Sequence, residues 1–111
     1  MKGLVKRGEI WEIDLGEGFG SEQHGKRPCL VIQNDLGNAH STTTIVCPIS
    51  SKINKCRALH PFISGLPLPS VVLCEQIRVV DSSRFVHKMG NISKEELITV
   101  NRCIRKELSL G

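Results

Sequence analysis

Aromatic residues are scarce in this chain of 111 residues, which has one Trp, three Phe and no Tyr. A protein that binds single-stranded nucleic acid on a stacking platform needs several exposed rings, so we expect no such platform to dominate here. Long apolar runs are also missing, and none approaches the ~20 residues that span a membrane. The start, MKGLVKRGEIWEID, has neither the apolar segment nor the cleavage site of a secretory signal. We therefore expect a cytoplasmic protein with no membrane attachment.

Metal-binding patterns are missing as well. The five cysteines form no C-x-x-C pair, and their spacing does not fit a zinc site. They are Cys29, Cys47, Cys56, Cys74 and Cys103. We expect reduced, mostly buried thiols, as in a cytosolic protein. Paired acids with the spacing of a metal-dependent nuclease are absent too, so the sequence predicts no metal and no other cofactor.

The charge balance is mildly basic, with a formal net charge of +4 and a pI near 8.9. This balance permits a polyanionic partner but does not require one. The fractions of hydrophobic residues (40%) and charged residues (23%) are ordinary for a globular protein. The length predicts one domain over residues 1–111.

Short strand patterns occupy most of the chain. EIWEIDL, residues 9–15, alternates apolar and polar side chains as a half-buried strand does. Further strands are predicted over 29–33, 42–50 and 70–81, with short ones around Phe62–Ile63 and over 85–90. Between them we expect a flexible Gly-rich loop over 16–26, turns over 34–41 and a loop over 51–59.

The C-terminal segment, Ser93 to Leu108, is the one clear helix pattern. Ser93 and Glu96 have the spacing of a capping box. One apolar face is formed by Leu97, Val100, Ile104 and Leu108. The predicted fold is therefore mainly β with helices: a small, strongly curved sheet or barrel, with this amphipathic helix packed against it.

Polar side chains gather where the predicted strands begin, end or are interrupted. They are Glu22 and Arg27 at the end of the Gly-rich loop, Ser50 and Ser51 at the end of one strand, and Glu75, Gln76 and Arg78 within another. A strand that otherwise looks buried rarely carries charges unless they pair or face a site. We expect these groups to converge. Solvated loop residues and a cross-strand ion pair are the structural alternatives.

Five segments follow one another between residues 6 and 108: RGEIWEIDL, GSEQHGKRPCLVIQND, a β-branched strand ending PISS, VVLCEQIRVVD and the helix. In this order they resemble the MazF/PemK family, the toxins of bacterial toxin–antitoxin pairs, and most closely its Gram-positive MazF members. The resemblance implies an SH3-like β-barrel of the PemK/CcdB type, assembled as a homodimer. It implies a metal-independent endoribonuclease that cuts single-stranded RNA, including mRNA, at a short sequence. The ends would be a 2′,3′-cyclic phosphate and a 5′-hydroxyl, and a MazE-like antitoxin would block the RNA groove.

The resemblance also assigns catalytic residues. The family's arginine falls on Arg27, its acidic residue on Glu22, and its hydroxyl residue, usually Thr, on Ser50. Serine keeps the hydroxyl but lacks the β-branch that stiffens χ1. A second arginine that some relatives carry on the late strand is Leu73 here. Arg27 is therefore the expected main cation, and its guanidinium suits phosphate charge.

RNA contacts are expected from the polar residues around these three. The candidates are Ser21, Gln23, Lys26, Asn34, Ser51, Lys52, Lys55, Glu75, Gln76 and Arg78. Lysines would contact phosphates, while Gln76 and Asn34 would read base edges.

Three other functions stay open at this point. The first is a barrel of the same shape that binds RNA or protein without cutting. The second is a related toxin that poisons DNA gyrase through its C-terminal helix, which would not need the SEQ and RP elements. The third is an inactive family member, because Ser50 departs from the usual Thr.

Overall fold

The computed structural model describes residues 4–52 and 60–111. Within these residues, seven strands form one curled antiparallel sheet, and two helices accompany it. The strands are β1 (Glu9–Asp14), β2 (Lys26–Val31), β3 (Thr43–Ser50), β4 (Phe62–Ile63), β5 (Ser70–Val72), β6 (Arg78–Asp81) and β7 (Phe85–Asn91). The helices are α1 (Asp35–His40) and α2 (Lys94–Glu107). The predicted mainly β fold with a C-terminal helix is confirmed.

Strand β3 lies at the centre of the sheet and pairs with three others. The strand order is β4-β5-β3-β2-β1-β7, and β6 also pairs with β3. One edge of β3 pairs with β2. Its other edge is divided: Thr43–Val46 pairs with β6, and Ile49–Ser50 pairs with β5. Two separate strands, β6 and β5, therefore pair with successive parts of the same edge of β3, about which the sheet curls.

The continuous strand predicted over residues 70–81 is only partly right. Strands β5 and β6 form its two ends, and a 3₁₀ turn over Cys74–Gln76 separates them. The turn begins where Leu73 donates its backbone N–H to the Pro48 carbonyl, 2.9 Å away. The chain leaves one half of the β3 edge there and rejoins the other half at Arg78, so a continuous strand is not possible.

The turns predicted over residues 34–41 are wrong, because the chain forms the short helix α1 there. The Asn34 side chain accepts a hydrogen bond from the Gly37 N–H at 2.7 Å. Asparagine favours turns because its side chain bonds nearby backbone groups, and the same bond here caps a helix.

Helix α2 is capped as predicted. The Ser93 side chain accepts from the Glu96 N–H, and the Glu96 side chain accepts from the Ser93 N–H, which completes the capping box. Val100 is fully buried against the sheet, whereas Leu108 is exposed. The buried face of the helix is thus shorter than its sequence pattern predicts, because Leu108 lies just beyond the helix end.

Two apolar clusters lie on either side of the sheet. One lies between the sheet and helix α2 and includes Ile10, Leu30 and Val100. The other includes Ile13, Cys29 and Val46, with Trp11 and Phe85 packed against it. The predicted burial of thiols is seen for Cys29, Cys47 and Cys74, whereas Cys103 is half-buried and Cys56 lies outside the described residues. Burial raises the pKa of the Cys29 thiol to about 12, so this thiol stays protonated at neutral pH.

The carboxylate of Glu9 is buried on strand β1, next to Lys88 of β7. Glu9 Oε1 accepts from the Lys6 N–H at 2.8 Å and from Trp11 Nε1 at 3.0 Å. Its Oε2 lies 3.0 Å from Lys88 Nζ. Burial by itself raises the pKa of Glu9, but the hydrogen bonds and the Lys88 charge outweigh it and lower the pKa below the ordinary value of 4.5. The ionised carboxylate therefore stabilises the fold.

We expect Glu9→Gln to lower the free energy of unfolding by about 1 to 2 kcal/mol at pH 7, since bonds to a neutral amide are weaker than bonds to a charged group. The folded pKa is lowered, so the carboxylate's contribution is complete above the unfolded pKa and is lost as pH falls through the folded pKa. Urea titrations at pH 7 and about pH 3 should show the difference shrinking in acid.

Glu12→Gln is the matched control for this prediction. Glu12 lies on the same strand, and its Oε1 is 3.6 Å from Nδ1 of the exposed His87, so the change should cost less than about 1 kcal/mol. The account would be contradicted if both variants lost the same free energy of unfolding, or if the loss in Glu9→Gln were as large at about pH 3 as at pH 7.

Candidate functional site

Arg27 and Ser50 come together because of the register between β2 and β3. The ladder pairs Val31 with Val46 and Cys29 with Pro48. Arg27 lies two residues before Cys29, and Ser50 lies two residues after Pro48, at the same end of this ladder. Two side chains that are 23 positions apart in the sequence therefore meet at one end of the sheet.

A cavity of about 240 Å³ opens at this point. Its polar lining consists of Gln23, Arg27, Ser50, Ser51, Lys52 and Ser70. The opposite wall is apolar and includes Leu66, Pro67, Leu68 and Met89. We call this the Arg27 cavity. Residues 66–68 connect β4 to β5, and their prolines predict only a turn, so this wall could not be recognised from the sequence.

A second cavity of about 480 Å³ has a more polar lining. Its charged groups are Glu17, Glu22, Glu75 and Arg78. We call this the Glu22 cavity. Gln23 lines both cavities, so the two share a boundary at this residue. Of the seven polar groups expected to converge, three therefore line the Arg27 cavity. The other four, Glu22, Glu75, Gln76 and Arg78, line the Glu22 cavity.

The Gly-rich loop forms a closed turn beside both cavities. Its neck is held by two backbone bonds, from Gly25 N to the Gly16 oxygen at 2.8 Å and from Leu15 N to the Gly25 oxygen at 2.9 Å. Gly16 and Gly25 both have φ near +70°, a conformation that favours glycine. Glycine at these two positions lets the chain leave β1 and return to β2 within a short loop.

Hydrogen bonds within the loop orient its two charged candidates. Glu22 is exposed, and its Oε1 accepts from the Phe19 N–H at 2.8 Å. Arg27 is half-buried, and its Nε donates to the His24 carbonyl at 3.0 Å. Glu22 and Arg27 thus face neighbouring cavities, each with one polar atom engaged by the loop.

Glu75 and Arg78 each have a partner. Glu75 Oε1 lies 2.7 Å from Nε2 of the buried His60. Arg78 Nη2 donates to the Leu15 carbonyl at 3.4 Å. The pairing that we expected for charges in this segment is present, but the partner of Glu75 is His60, which no local sequence pattern indicates. Leu73 is buried, so that position presents no side chain to either cavity.

Several predicted contact residues lie away from the cavities. Asn34 caps helix α1 beyond the opposite end of β2 from Arg27. Lys26 is exposed and opposite Asp14, and it lines neither cavity. The Ser21 carbonyl contacts the Gln76 side chain. Lys55 lies outside the described residues.

The described parts of the chain contain neither a metal-binding cluster nor a membrane-spanning helix. In residues 4–52 and 60–111, no cluster of three or more His, Cys, Asp or Glu side chains could hold a metal ion. Over the same residues, no helix has the length and apolar character needed to cross a membrane.

Several solved structures share this fold. A MazF structure from Deinococcus radiodurans superposes with a TM-score of 0.83 at 23% identity, covering 96% of this chain and 97% of that one. An endoribonuclease in complex with its cognate antitoxin, from a mycobacterial species, gives a TM-score of 0.75 at 18% identity and covers 100% and 98%. The curled sheet with its C-terminal helix is therefore the MazF fold.

Sequence comparison defines the family. The family model described as "PemK-like, MazF-like toxin of type II toxin-antitoxin system" matches residues 6–108. The chain is 40% identical to the endoribonuclease EndoA of Bacillus subtilis over 96% of this chain and 97% of that protein. It is also 40% identical to the endoribonuclease MazF of Staphylococcus saprophyticus, over 97% and 92%. The chain belongs to the PemK/MazF toxin family, as its motifs predict.

The position of Glu22 depends on a close approach at Gly18. A Cβ atom at Gly18 would lie 2.8 Å from the Glu22 carbonyl oxygen and 2.9 Å from the His24 Cβ. Gly18→Ala should therefore displace the loop, with large chemical-shift changes in the backbone amides of residues 19–24. The matched control is Gly90→Ala, whose Cβ would be 3.5 Å from its nearest atom, an ordinary contact. Equal, small shifts in the two variants would contradict this close approach.

Proposed function

We propose that this chain is an endoribonuclease toxin that cuts single-stranded RNA, including mRNA, without a metal ion. The observation that carries the proposal is that Arg27 and Ser50 line one cavity, beside the loop that holds Glu22. The family match supports it, as do the names of the two relatives that are 40% identical.

The proposed reaction is an internal transfer at one phosphate. The 2′-oxygen attacks phosphorus and loses its proton to a base, and a new P–O2′ bond forms. The P–O5′ bond breaks, and the 5′-oxygen takes up a proton. The products are a 2′,3′-cyclic phosphate and a 5′-hydroxyl. DNA lacks the attacking group, so it would bind without being cut.

Arg27 is the group we assign to phosphate charge. Negative charge grows on the non-bridging oxygens as the new bond forms, and fixed donors that face this charge stabilise the transition state. The bond from Arg27 Nε to His24 fixes the plane of the guanidinium. Among the described residues, none accepts a hydrogen bond from its two terminal nitrogens, which remain as a fork for two phosphate oxygens. A permanent cation here supplies the stabilisation that a metal ion would otherwise give.

Ser50 is the second group we assign to the phosphate. Its Oγ accepts from the Lys52 N–H at 3.1 Å, so the hydroxyl hydrogen can point elsewhere. This bond restrains the side chain in place of the β-branch that a threonine would have. Serine can therefore do the work of the usual Thr, which argues against an inactive family member.

Glu22 has two proposed roles, one chemical and one structural. Its carboxylate is a base of suitable type for the 2′-hydroxyl proton. It also closes the loop by accepting from Phe19, which places His24 and through it Arg27. An arginine is a poor proton donor because its pKa is ~12 or above, so we assign no acid role to Arg27.

The two cavities together form the proposed RNA groove. The RNA contacts proposed for six residues are supported by their position in the cavity linings: Gln23, Ser51, Lys52, Glu75, Gln76 and Arg78. For Ser21, Lys26, Asn34 and Lys55 the contact rests on the family resemblance alone. The apolar wall at Leu66 and Leu68 can take the face of a base, which only an unpaired strand presents.

We also propose the remaining family properties for this chain. These are a single domain, a homodimer, a cytoplasmic location and a MazE-like antitoxin that blocks the groove. A relative of the same fold has been solved with its cognate antitoxin, which supports the last.

Substitutions at the two phosphate groups test the proposal. Arg27→Ala and Ser50→Ala should each lower kcat by ~10²–10³, the usual cost of one such donor. Ser50→Thr should keep kcat within about tenfold of wild type, because the hydroxyl remains. Arg105→Ala is the control, since Arg105 is an exposed arginine of helix α2 that lines neither cavity. The measurement is single-turnover cleavage of a long RNA.

A folded wild-type protein that binds this RNA and leaves it intact would overturn the enzyme function and favour a binding module. If Arg27→Ala and Arg105→Ala lowered kcat by the same factor, the result would contradict the role of Arg27.

A further inference from the structure

Gln76 makes two contacts with the Gly-rich loop across a long sequence separation. Its Oε1 accepts from the Gln23 N–H at 3.0 Å. Its Nε2 donates to the Ser21 carbonyl at 3.4 Å. The first distance is that of a good hydrogen bond, and the second is long. One side-chain amide thus joins the backbone on both sides of Glu22.

The base of this contact is rigid. Gln76 ends the 3₁₀ turn, and its N–H donates to the Leu73 carbonyl at 3.0 Å. Leu73 is itself bonded to Pro48 of β3, and Cys74 is buried in the core. Strand β3 ends at Ser50 two residues after Pro48. The Gln76 side chain therefore fixes the distance between the Gly-rich loop and the strand that carries Ser50.

We infer that Gln76 is a positioning residue, which holds Ser21–Gln23 so that Glu22 and the boundary between the two cavities keep a fixed place relative to Ser50. The inference rests on the proposed function and differs from the base-reading role predicted for Gln76. One amide hydrogen and one oxygen lone pair of Gln76 are left for RNA, while the loop uses the others. A misplacement of about 1 Å at a reacting group can cost ~10²-fold in rate.

Two substitutions separate positioning from base reading. Gln76→Leu removes both contacts at similar volume. Gln76→Glu keeps the acceptor for Gln23 N–H, and only its protonated form can also donate to Ser21. The charged groups that face this position are Glu17 and Glu22 of the loop, Glu75 of the turn and Arg78 of β6. Lower pH therefore restores both contacts in the Glu variant but not in the Leu variant.

The first measurement is hydrogen exchange of the Gln23 amide in the protein without RNA. We expect the Gln23 amide to be protected from exchange in wild type and its protection factor to fall at least about tenfold in Gln76→Leu. In Gln76→Glu we expect partial protection, which increases as the pH is lowered from about 7 to about 5. Fast exchange of this amide in wild type, or equal protection in wild type and Gln76→Leu, would overturn the inference. Because no RNA is present, this result does not depend on the proposed function.

The second measurement is steady-state cleavage of one RNA. Positioning predicts that Gln76→Leu lowers kcat about tenfold or more with little change in KM, and that the Glu variant recovers relative to wild type as pH falls. A base-reading role predicts a raised KM and altered cleavage sites with normal kcat, which would overturn the inference. No cleavage by wild type would overturn the proposed function instead.

Asn101→Leu is the matched control for Gln76→Leu. Asn101 lies on helix α2 and lines neither cavity. The substitution removes its side-chain amide, whose oxygen accepts a hydrogen bond from Arg7. Asn101→Leu should leave kcat and the exchange protection of the Gln23 amide unchanged. Thermal unfolding of Gln76→Leu, Gln76→Glu and Asn101→Leu shows whether each variant is folded. A fall in kcat in Asn101→Leu equal to that in Gln76→Leu would mean that general destabilisation explains both.

Discussion

The division of the β3 edge between two strands is the constraint on which the rest of the structure depends. Backbone N–H and C=O groups in a sheet need partners, and β3 finds them in β6 along Thr43–Val46 and in β5 along Ile49–Ser50. Between these halves the chain turns out of the sheet over Cys74–Gln76. That turn carries Gln76 to the Gly-rich loop, while the end of β3 carries Ser50 to the Arg27 cavity. One strand thus supports both sides of the candidate groove.

Backbone groups orient the three polar side chains proposed for catalysis, of which Arg27 and Ser50 are partly buried and Glu22 is exposed. Arg27 donates to His24, Glu22 accepts from Phe19, and Ser50 accepts from Lys52. Such bonds hold each group in one direction before RNA arrives, and fixed donors cost no reorganisation during the reaction. The apolar clusters on both faces of the sheet keep this arrangement rigid.

Local patterns in the sequence predicted the local structure well. The strand β1 and the capping box of α2 each depend on residues within a few positions, and both are present. The alternating burial expected for β1 is wrong, because Glu9 is buried beside Ile10. The MazF/PemK motifs also predicted the family. The register between β2 and β3 could not be predicted, so no sequence pattern provided a geometric reason for Arg27 and Ser50 to line one cavity. The break at Cys74–Gln76 was missed because both flanking segments favour strands, and the cause of the break lies in β3. The contact between His60 and Glu75, 15 residues apart, has no local signal either.

The central claim is that RNA is cut by its own 2′-hydroxyl at a phosphate held by Arg27 and Ser50, with no metal ion. The most direct test is the chemistry of the fragment ends produced from a long single-stranded RNA in excess EDTA. The account predicts discrete fragments with 2′,3′-cyclic phosphate and 5′-hydroxyl ends. Fragments with 5′-phosphate ends, or cleavage that stops in EDTA and returns with added Mg²⁺, would contradict it.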